Sequence, residues 1–595
     1  MNRTRSDFAG AADPASTRRP LAMGRDGAVA AGHHLATTAG FEIMNRGGNA
    51  VDAGVAAGVC INVLLFDRTS FGGVAPTIIY NAPSREVVTL DGLGVWPRRT
   101  DIRELQQMGG DQVADGIMRT ITPAAPDSWM TALRLYGTMT LGEVLEPARD
   151  LAYRGAPVGH TVARSLARRA EDLDSVDAAA REIYFPGRRA PRPGQVLVQE
   201  DLGSLFKTLM DVEARARKSG LDREAAIEAA RDHFYRGPIA EQIDAFYRRQ
   251  GGWLRADDLA EHAVELAPPV TGTYHGYDIY TCNTWCQGPM LIQFLNILEQ
   301  FDLSTMQPGS PAYLHLLLET MDLVFADREN FYADPRAVNV PMAGLMSKEY
   351  ARLRAETIDP KRASGSMPSP GDPFAFEPDR DGWKYALVDP DHYIAEDEAV
   401  KSDTSYVTAA DAEGNIFSAT PSDPVFWTPI VPGLGMSMSG RGVQSRTLEG
   451  HPSSVAPGRR PRLTPNPALI GIGGRGLMGI GCPGGDAQTQ GMLQVLLNML
   501  HFGMNPQEAI EAPRVTSQNF PNSFAPHAYY PGRVDVEARV SPDAVRQLNQ
   551  LGHRVQLVGD WYPGASSVHV SAINPSNGVI LAGSDPRNEG SAISW

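Results

Sequence analysis

Lys401-Ser-Asp-Thr404-Ser-Tyr-Val-Thr-Ala-Ala-Asp411-Ala-Glu-Gly414-Asn415-Ile-Phe-Ser-Ala-Thr420-Pro-Ser422-Asp423 is the stretch on which the reading of this chain turns. Residues 405–411 and 416–420 are strand-like runs, and Ala412-Glu-Gly-Asn415 between them carries the residues of a hairpin turn. Thr404 stands just before the first run and Ser422 just after the second. A hydroxyl is a weak nucleophile because its proton must leave as it attacks. A threonine at a chain N-terminus brings its own base. Its α-amino group, with an unperturbed pKa of roughly 7.7–8.0, is partly neutral at neutral pH and takes the proton directly or through one water. A cut between Asp403 and Thr404 would create such an end. A threonine entering a strand is ordinarily structural, however, and this segment alone leaves both readings open.

Upstream of this hairpin, residues 1–25 are polar, Arg-rich and aperiodic, and read as a frayed tail. A small-residue strand over 27–32 and helices over 35–46 and 49–65 follow, then a hairpin of 76–80 with 86–90. Residues 125–260 are largely helical by periodicity, and 311–332 is a further long helix. Residues 360–382 are rich in Pro, Gly, Ser and Asp and read as a surface linker. Downstream, 467–472 and 477–480 form a hairpin, 488–502 an apolar helix, and 555–558, 567–573 and 579–582 strands. Strand pairs between helical stretches predict an α+β sandwich.

The 595 residues carry a net charge of −15, with 54 basic and 69 acidic side chains. That balance argues against a nucleic-acid partner, which would want a concentrated basic face. No window offers the roughly 18 consecutive apolar residues of a membrane span. Arg18-Arg19 is followed by Arg25-Asp26 instead of an apolar run, so a twin-arginine export signal is not formed and a cytoplasmic protein is expected. Four cysteines, with Cys282 and Cys286 the only close pair, make neither a disulfide framework nor a zinc site.

Several familiar patterns fail on context. Gly471-Ile-Gly473-Gly-Arg-Gly476 has the letters of a dinucleotide loop, but Leu477-Met-Gly-Ile-Gly481 after it is strand-like, so a glycine hairpin is expected. His33-His34 lack helical metal-ligand spacing, and neither H-E-x-x-H nor G-x-S-x-G occurs. No metal and no cofactor are expected.

Blocks along most of the chain resemble the gamma-glutamyltranspeptidase family. They begin with Gly27-Ala-Val-Ala-Ala-Gly-His-His-Leu-Ala36, Gly47-Gly-Asn-Ala-Val-Asp-Ala53 and Gly72-Gly73. Phe325-Ala-Asp-Arg328 with Asp334-Pro335 is similar to the family's central helix. Thr404-Ser405, with Asp411 and Gly414-Asn415 behind, resembles the start of its small subunit. Gly481-Cys-Pro-Gly484-Gly485, Ala512-Pro-Arg514 and Ser584-Asp-Pro-Arg587 complete the order. The resemblance implies a four-layer αββα sandwich of the N-terminal-nucleophile hydrolase type. It implies self-cleavage between Asp403 and Thr404, giving a large subunit that ends at 403 and a catalytic subunit of 404–595. The two would stay associated as one composite domain and act on a small-molecule amide. Thr404 would be the nucleophile, Ser422 the hydroxyl that orients the freed end, and the N–H groups of Gly484 and Gly485 the oxyanion hole.

The recognition positions depart from the family. An asparagine pair followed by acids becomes Ser439-Gly-Arg441-Gly-Val-Gln-Ser445, and paired serines become Pro461-Arg462. The arginine that grips the substrate carboxylate has Arg99 as its nearest counterpart. Losing an acid removes the partner of a substrate ammonium, and Arg441 and Arg462 would favour a carboxylate. An autoprocessed amide hydrolase or acyltransferase acting on a non-standard, anionic acyl group is therefore expected. The alternatives are a true gamma-glutamyl hydrolase or transpeptidase, and an uncut binding or scaffold protein.

Overall fold

The computed structural model describes residues 17–110, 112–377, 385–395 and 403–595. The hairpin forms where its turn residues put it: Val407–Asp411 pairs antiparallel with Ile416–Ala419, Val407 opposite Ala419. Asp411 makes the turn. One carboxylate oxygen accepts from the N–H of Glu413 (3.0 Å) and Asn415 (2.9 Å), while Gly414 supplies a φ of 96°. The other oxygen accepts from Ala50 N–H at 2.9 Å, which places a negative charge at the start of the helix Ala50–Leu64.

Around this hairpin the chain builds two seven-stranded sheets. One runs Ser591–Ser594, Gly27–Ala31, Val407–Asp411, Ile416–Ala419, Thr77–Asn81, Glu86–Leu90, Leu266–Ala267. The other runs Ala22–Gly24, Ile580–Ser584, His569–Ile573, Arg475–Gly481, Ala468–Ile472, Tyr277–Thr281, Val270–Tyr274. Strand side chains alternate between faces, and both faces are covered. Val407, Ala409 and Phe417 pack toward Ala50–Leu64 and its neighbouring helices. Ala410 and Ile416 meet Leu469, Ile573 and Ile580 of the opposite sheet. The outer face of that sheet packs on Met290–Leu298, Pro311–Phe331 and Ala487–Leu500. The result is the expected αββα sandwich. Glycines let its sheets approach: a Cβ on Gly479 would meet the Thr408 hydroxyl and one on Gly481 the Tyr406 ring.

The glycine run at 471–476 is a two-residue hairpin, with Gly473 and Gly474 at φ 56° and 76° between paired strands. Four details correct the sequence reading. Residues 17–25 are not frayed: Ala22–Gly24 is a strand, and the Arg18 and Arg19 N–H groups donate to Glu511. Residues 1–16 lie outside the described residues, as do 378–382 of the expected linker. The last strand, Ser591–Ser594, and the hairpin Val270–Tyr274/Tyr277–Thr281 escape a local reading because nothing in their short runs announces their distant partners. Arg554–Val558 joins a small separate sheet, parallel to Arg533–Glu537. Among the described residues no helix is long and apolar enough to cross a membrane.

Candidate active site

Thr404 sits at the mouth of the central hairpin, fully buried. Its N–H donates to the Arg68 carbonyl at 3.0 Å, and Ser405 N–H donates to the Pro421 carbonyl at 2.9 Å. Ser422 is brought alongside by a bridge to Val74, and the two hydroxyl oxygens lie 2.6 Å apart. Ser422 in turn donates to the Asp403 carboxylate at 3.3 Å. Thr404 adopts φ 79°, a left-handed conformation that β-branched residues avoid. Strain of about 1–3 kcal/mol therefore sits on Thr404, the residue after the Asp403–Thr404 peptide.

Arg441 closes this constellation. Its guanidinium donates to Asp403 and to the Ser422 hydroxyl, and reaches the Thr404 hydroxyl at 3.4 Å. Its Nε lies 3.2 Å from Asp423, whose other oxygen accepts from Ser439 at 2.7 Å. Trp427 and Phe524 flank the guanidinium, with ring centroids 5.1 and 5.5 Å away. Burial pushes Asp423 up to about 6; Arg441 and the Ser439 hydrogen bond oppose the shift and Asp403 adds to it. Two carboxylates thus share one fully buried arginine, with two hydroxyls beside it.

Gly484 and Gly485 lie between the strand Arg475–Gly481 and the helix Ala487–Leu500, with φ 124° and 57°. Their carbonyls accept from Ala487 and Gln488, while among the described residues neither of their own N–H groups donates to another group. They line a cleft of about 250 Å³ together with Arg68, Arg164, Arg168 and Phe524. A second, wider cleft of about 750 Å³ shares Arg68 and Arg168 and runs past Arg119 and Trp427. Arg441 lies behind the wall between them, since Phe524 lines one cleft and Trp427 the other. Arg164 and Arg168, one turn apart on His160–Arg169, have no carboxylate within ion-pair distance among the described residues.

The structure thus brings together Asp403, Thr404, Ser422 and Arg441, with Gly484 and Gly485 on the adjoining cleft. It separates three others from them. Arg99 is exposed and lines neither cleft. Arg462 is buried and paired at 2.9 Å with Glu329, a carboxylate also gripped by Arg446, and donates to the Arg328 carbonyl at 3.0 Å, so its guanidinium is engaged within the core. Pro461 is buried in the segment leading to it. A single buried glutamate in the helix Pro311–Phe331 thus accounts for an arginine that the sequence offered for ligand binding. Sequence reasoning missed Asp423, Arg68, Arg164 and Arg168. The arginines at 164 and 168 were legible as an i, i+4 pair, but a helix with that pattern usually presents a solvated face.

A threonine opening a central strand of an αββα sandwich, bonded to a serine hydroxyl and to the carbonyl of Arg68, whose cleft an open glycine pair also lines, marks the class of N-terminal-nucleophile hydrolases. Comparison with known proteins narrows this. The family profile described as Gamma-glutamyltranspeptidase matches residues 36–595. The Glutathione hydrolase-like YwrD proenzyme of Bacillus subtilis (strain 168) is 30% identical over 569 residues, covering 95% of this chain and 98% of that protein. The Acylase ACY 1 proenzyme of Pseudomonas sp. (strain SE83) is 29% identical over 597 residues, covering 98% and 96%. The crystal structure of cephalosporin acylase from Bacillus halodurans matches with a TM-score of 0.84 at 26% identity, covering 98% of each chain. The chain belongs to the gamma-glutamyltranspeptidase family.

Proposed function

We propose that the chain is a precursor that cuts itself between Asp403 and Thr404 and then hydrolyses or transfers an acyl group bearing a carboxylate. In the precursor the Thr404 nitrogen is an amide and cannot serve as base. The hydroxyl chain supplies one instead: Thr404 donates to Ser422, and Ser422 donates to the Asp403 carboxylate. Thr404 Oγ1 attacks the Asp403 carbonyl carbon, the C–N bond breaks, and the hydroxyl proton ends on the new amine. Water then hydrolyses the Asp403 ester, leaving Thr404 as a chain end. In turnover the same oxygen attacks a substrate amide, the α-amine carries the proton to the leaving amine, and water or a second amine takes the acyl group. Gly484 and Gly485 N–H groups would hold the oxyanion.

Arg441 carries the substrate reading. It touches the nucleophile and holds a carboxylate, that of Asp403, which is separated from the scissile carbonyl by two carbons. Departure of residue 403 removes that anion and leaves a flanked, buried guanidinium facing Asp423. A substrate with the four-carbon spacing of a succinyl group would restore the lost contact, and Arg164 and Arg168 make the approach cationic. The acylase relatives are consistent with an acyl group other than gamma-glutamyl. The test is a panel of anilides. The succinyl anilide is expected to exceed its neutral butyryl isostere in kcat/KM by about 10- to 100-fold, the worth of a charge-assisted hydrogen bond. If a gamma-glutamyl anilide or glutathione is the best substrate, the anionic reading fails.

A further inference from the structure

Outside the two clefts, His315 and Glu319 stand one turn apart on the helix Pro311–Phe331, and His553 meets them from the residue before the strand Arg554–Val558. One ligand atom from each lies within 4.8 Å of the others. All three are buried, at 2%, 6% and 4% exposure, so solvent is not their partner. His315 Nε2 lies 2.9 Å from the Asp359 carbonyl, which can only accept. That contact puts the proton on Nε2 and aims the Nδ1 lone pair at His553 Nε2, 2.8 Å away. Glu319 is oriented by the Ser364 N–H, 3.2 Å from each carboxylate oxygen.

The charge balance is the second observation. Asp322, a further turn along the helix, accepts from Ser517 and Asn519 at 2.5 and 2.7 Å and is 3% exposed. Among the described residues neither Glu319 nor Asp322 has a lysine or arginine within ion-pair distance. Buried carboxylates are ordinarily paired or bound to a metal. Two imidazoles and a carboxylate, with His315 held by a hydrogen bond to a carbonyl and Glu319 by one from an N–H, form a donor set suited to zinc, with water as a fourth ligand.

We propose that His315, Glu319 and His553 bind one zinc ion, which clamps the two cleavage fragments together. The clamp rests on the cleavage reading, because His315 and Glu319 would lie on one fragment and His553 on the other; the binding site does not depend on it. The experiment loads full-length protein with zinc, desalts it and measures retained metal in wild type, Thr404→Ala, Glu319→Gln and His553→Ala. Wild type and Thr404→Ala are expected to keep about one zinc per chain, and the two ligand variants less than about a tenth. Cobalt in place of zinc is expected to give the visible bands of a four-coordinate site in wild type, a readout that needs no variant to fold. Absence of retained zinc in wild type, or equal retention in Glu319→Gln, would overturn the site and leave a hydrogen-bonded histidine pair. If zinc is retained but chelation does not lower the denaturant concentration that separates the cut fragments, the clamp is overturned and the site stands. If zinc is retained by a wild-type chain that stays uncut, the clamp fails through the cleavage reading alone.

Discussion

Asp403 is more than the residue that happens to precede the nucleophile: its carboxylate accepts from Ser422 and pairs with Arg441 in a site closed to solvent. In the proposed scheme it is the base for cleavage and is discarded afterwards. Asp403→Asn is therefore expected to slow self-cleavage by about 10²–10⁴-fold while leaving the turnover of protein that has been cut near the wild-type rate. Timed gels for cleavage and anilide assays on the isolated cut form separate the two; equal slowing of both would contradict the assignment. Asp423 provides a pH test. The folded chain holds its proton up to about pH 6, the unfolded chain only to roughly 3.9. Between those values the folded state binds more protons, so stability falls as pH rises through the window. In the uncut Thr404→Ala background, Asp423→Asn is expected to gain on its parent by up to about 3 kcal/mol between pH 4 and 7, read from urea midpoints. A difference that does not change with pH would exclude the shift. Thr404 and Ser422 were legible through the family resemblance, since the hairpin they flank leaves a structural threonine equally open. Asp423 was not, since what perturbs it is burial, and both that burial and its pairing with Arg441 exist only in the fold.

Elements decide where the glycine pair can act. Gly484 and Gly485 form the short link from the strand Arg475–Gly481 to the helix Ala487–Leu500, and both take left-handed φ angles. A Cβ at Gly485 would stand 3.2 Å from the Phe524 ring, which must shift slightly to admit it. Gly485→Ala keeps the N–H but shifts it, and is expected to fold with a loss of about 1–2 kcal/mol and to lower kcat with little change in KM, by at most the roughly 10²–10³ of a lost oxyanion donor. A change confined to KM would remove the pair from the chemistry. Elements with a self-contained pattern were readable: the Asp411–Asn415 turn, the helix Ala50–Leu64, the glycine hairpin at 473–474. Elements defined by a distant partner were not. Ala22–Gly24 is three residues long and exists because Ile580–Ala582 pairs with it, and Ser591–Ser594 exists because it closes the edge beside Gly27–Ala31.

At the scale of the molecule, each seven-stranded sheet mixes strands from both sides of the Asp403–Thr404 junction. Val407–Asp411 lies between Gly27–Ala31 and Ile416–Ala419, and Ala468–Ile472 lies between Tyr277–Thr281 and Arg475–Gly481. A cut chain could not come apart without breaking strand pairs in both sheets, so the fragments are expected to co-elute in native buffer and to separate only on denaturation. An α+β sandwich was legible from the order of hairpins and helices, and its four αββα layers from the family resemblance. The clefts were not, because Arg68, Arg168, Gly484 and Phe524 come from four separate segments that only the assembled sandwich brings to one rim. Intact-mass measurement of freshly purified wild type and Thr404→Ala tests the central claim most directly. Wild type is expected as two species, 403 and 192 residues of the 595, with the smaller beginning at Thr404, and Thr404→Ala as one uncut, inactive chain. A wild type that stays whole while hydrolysing amides, or a Thr404→Ala chain that still cuts at 403, would contradict it.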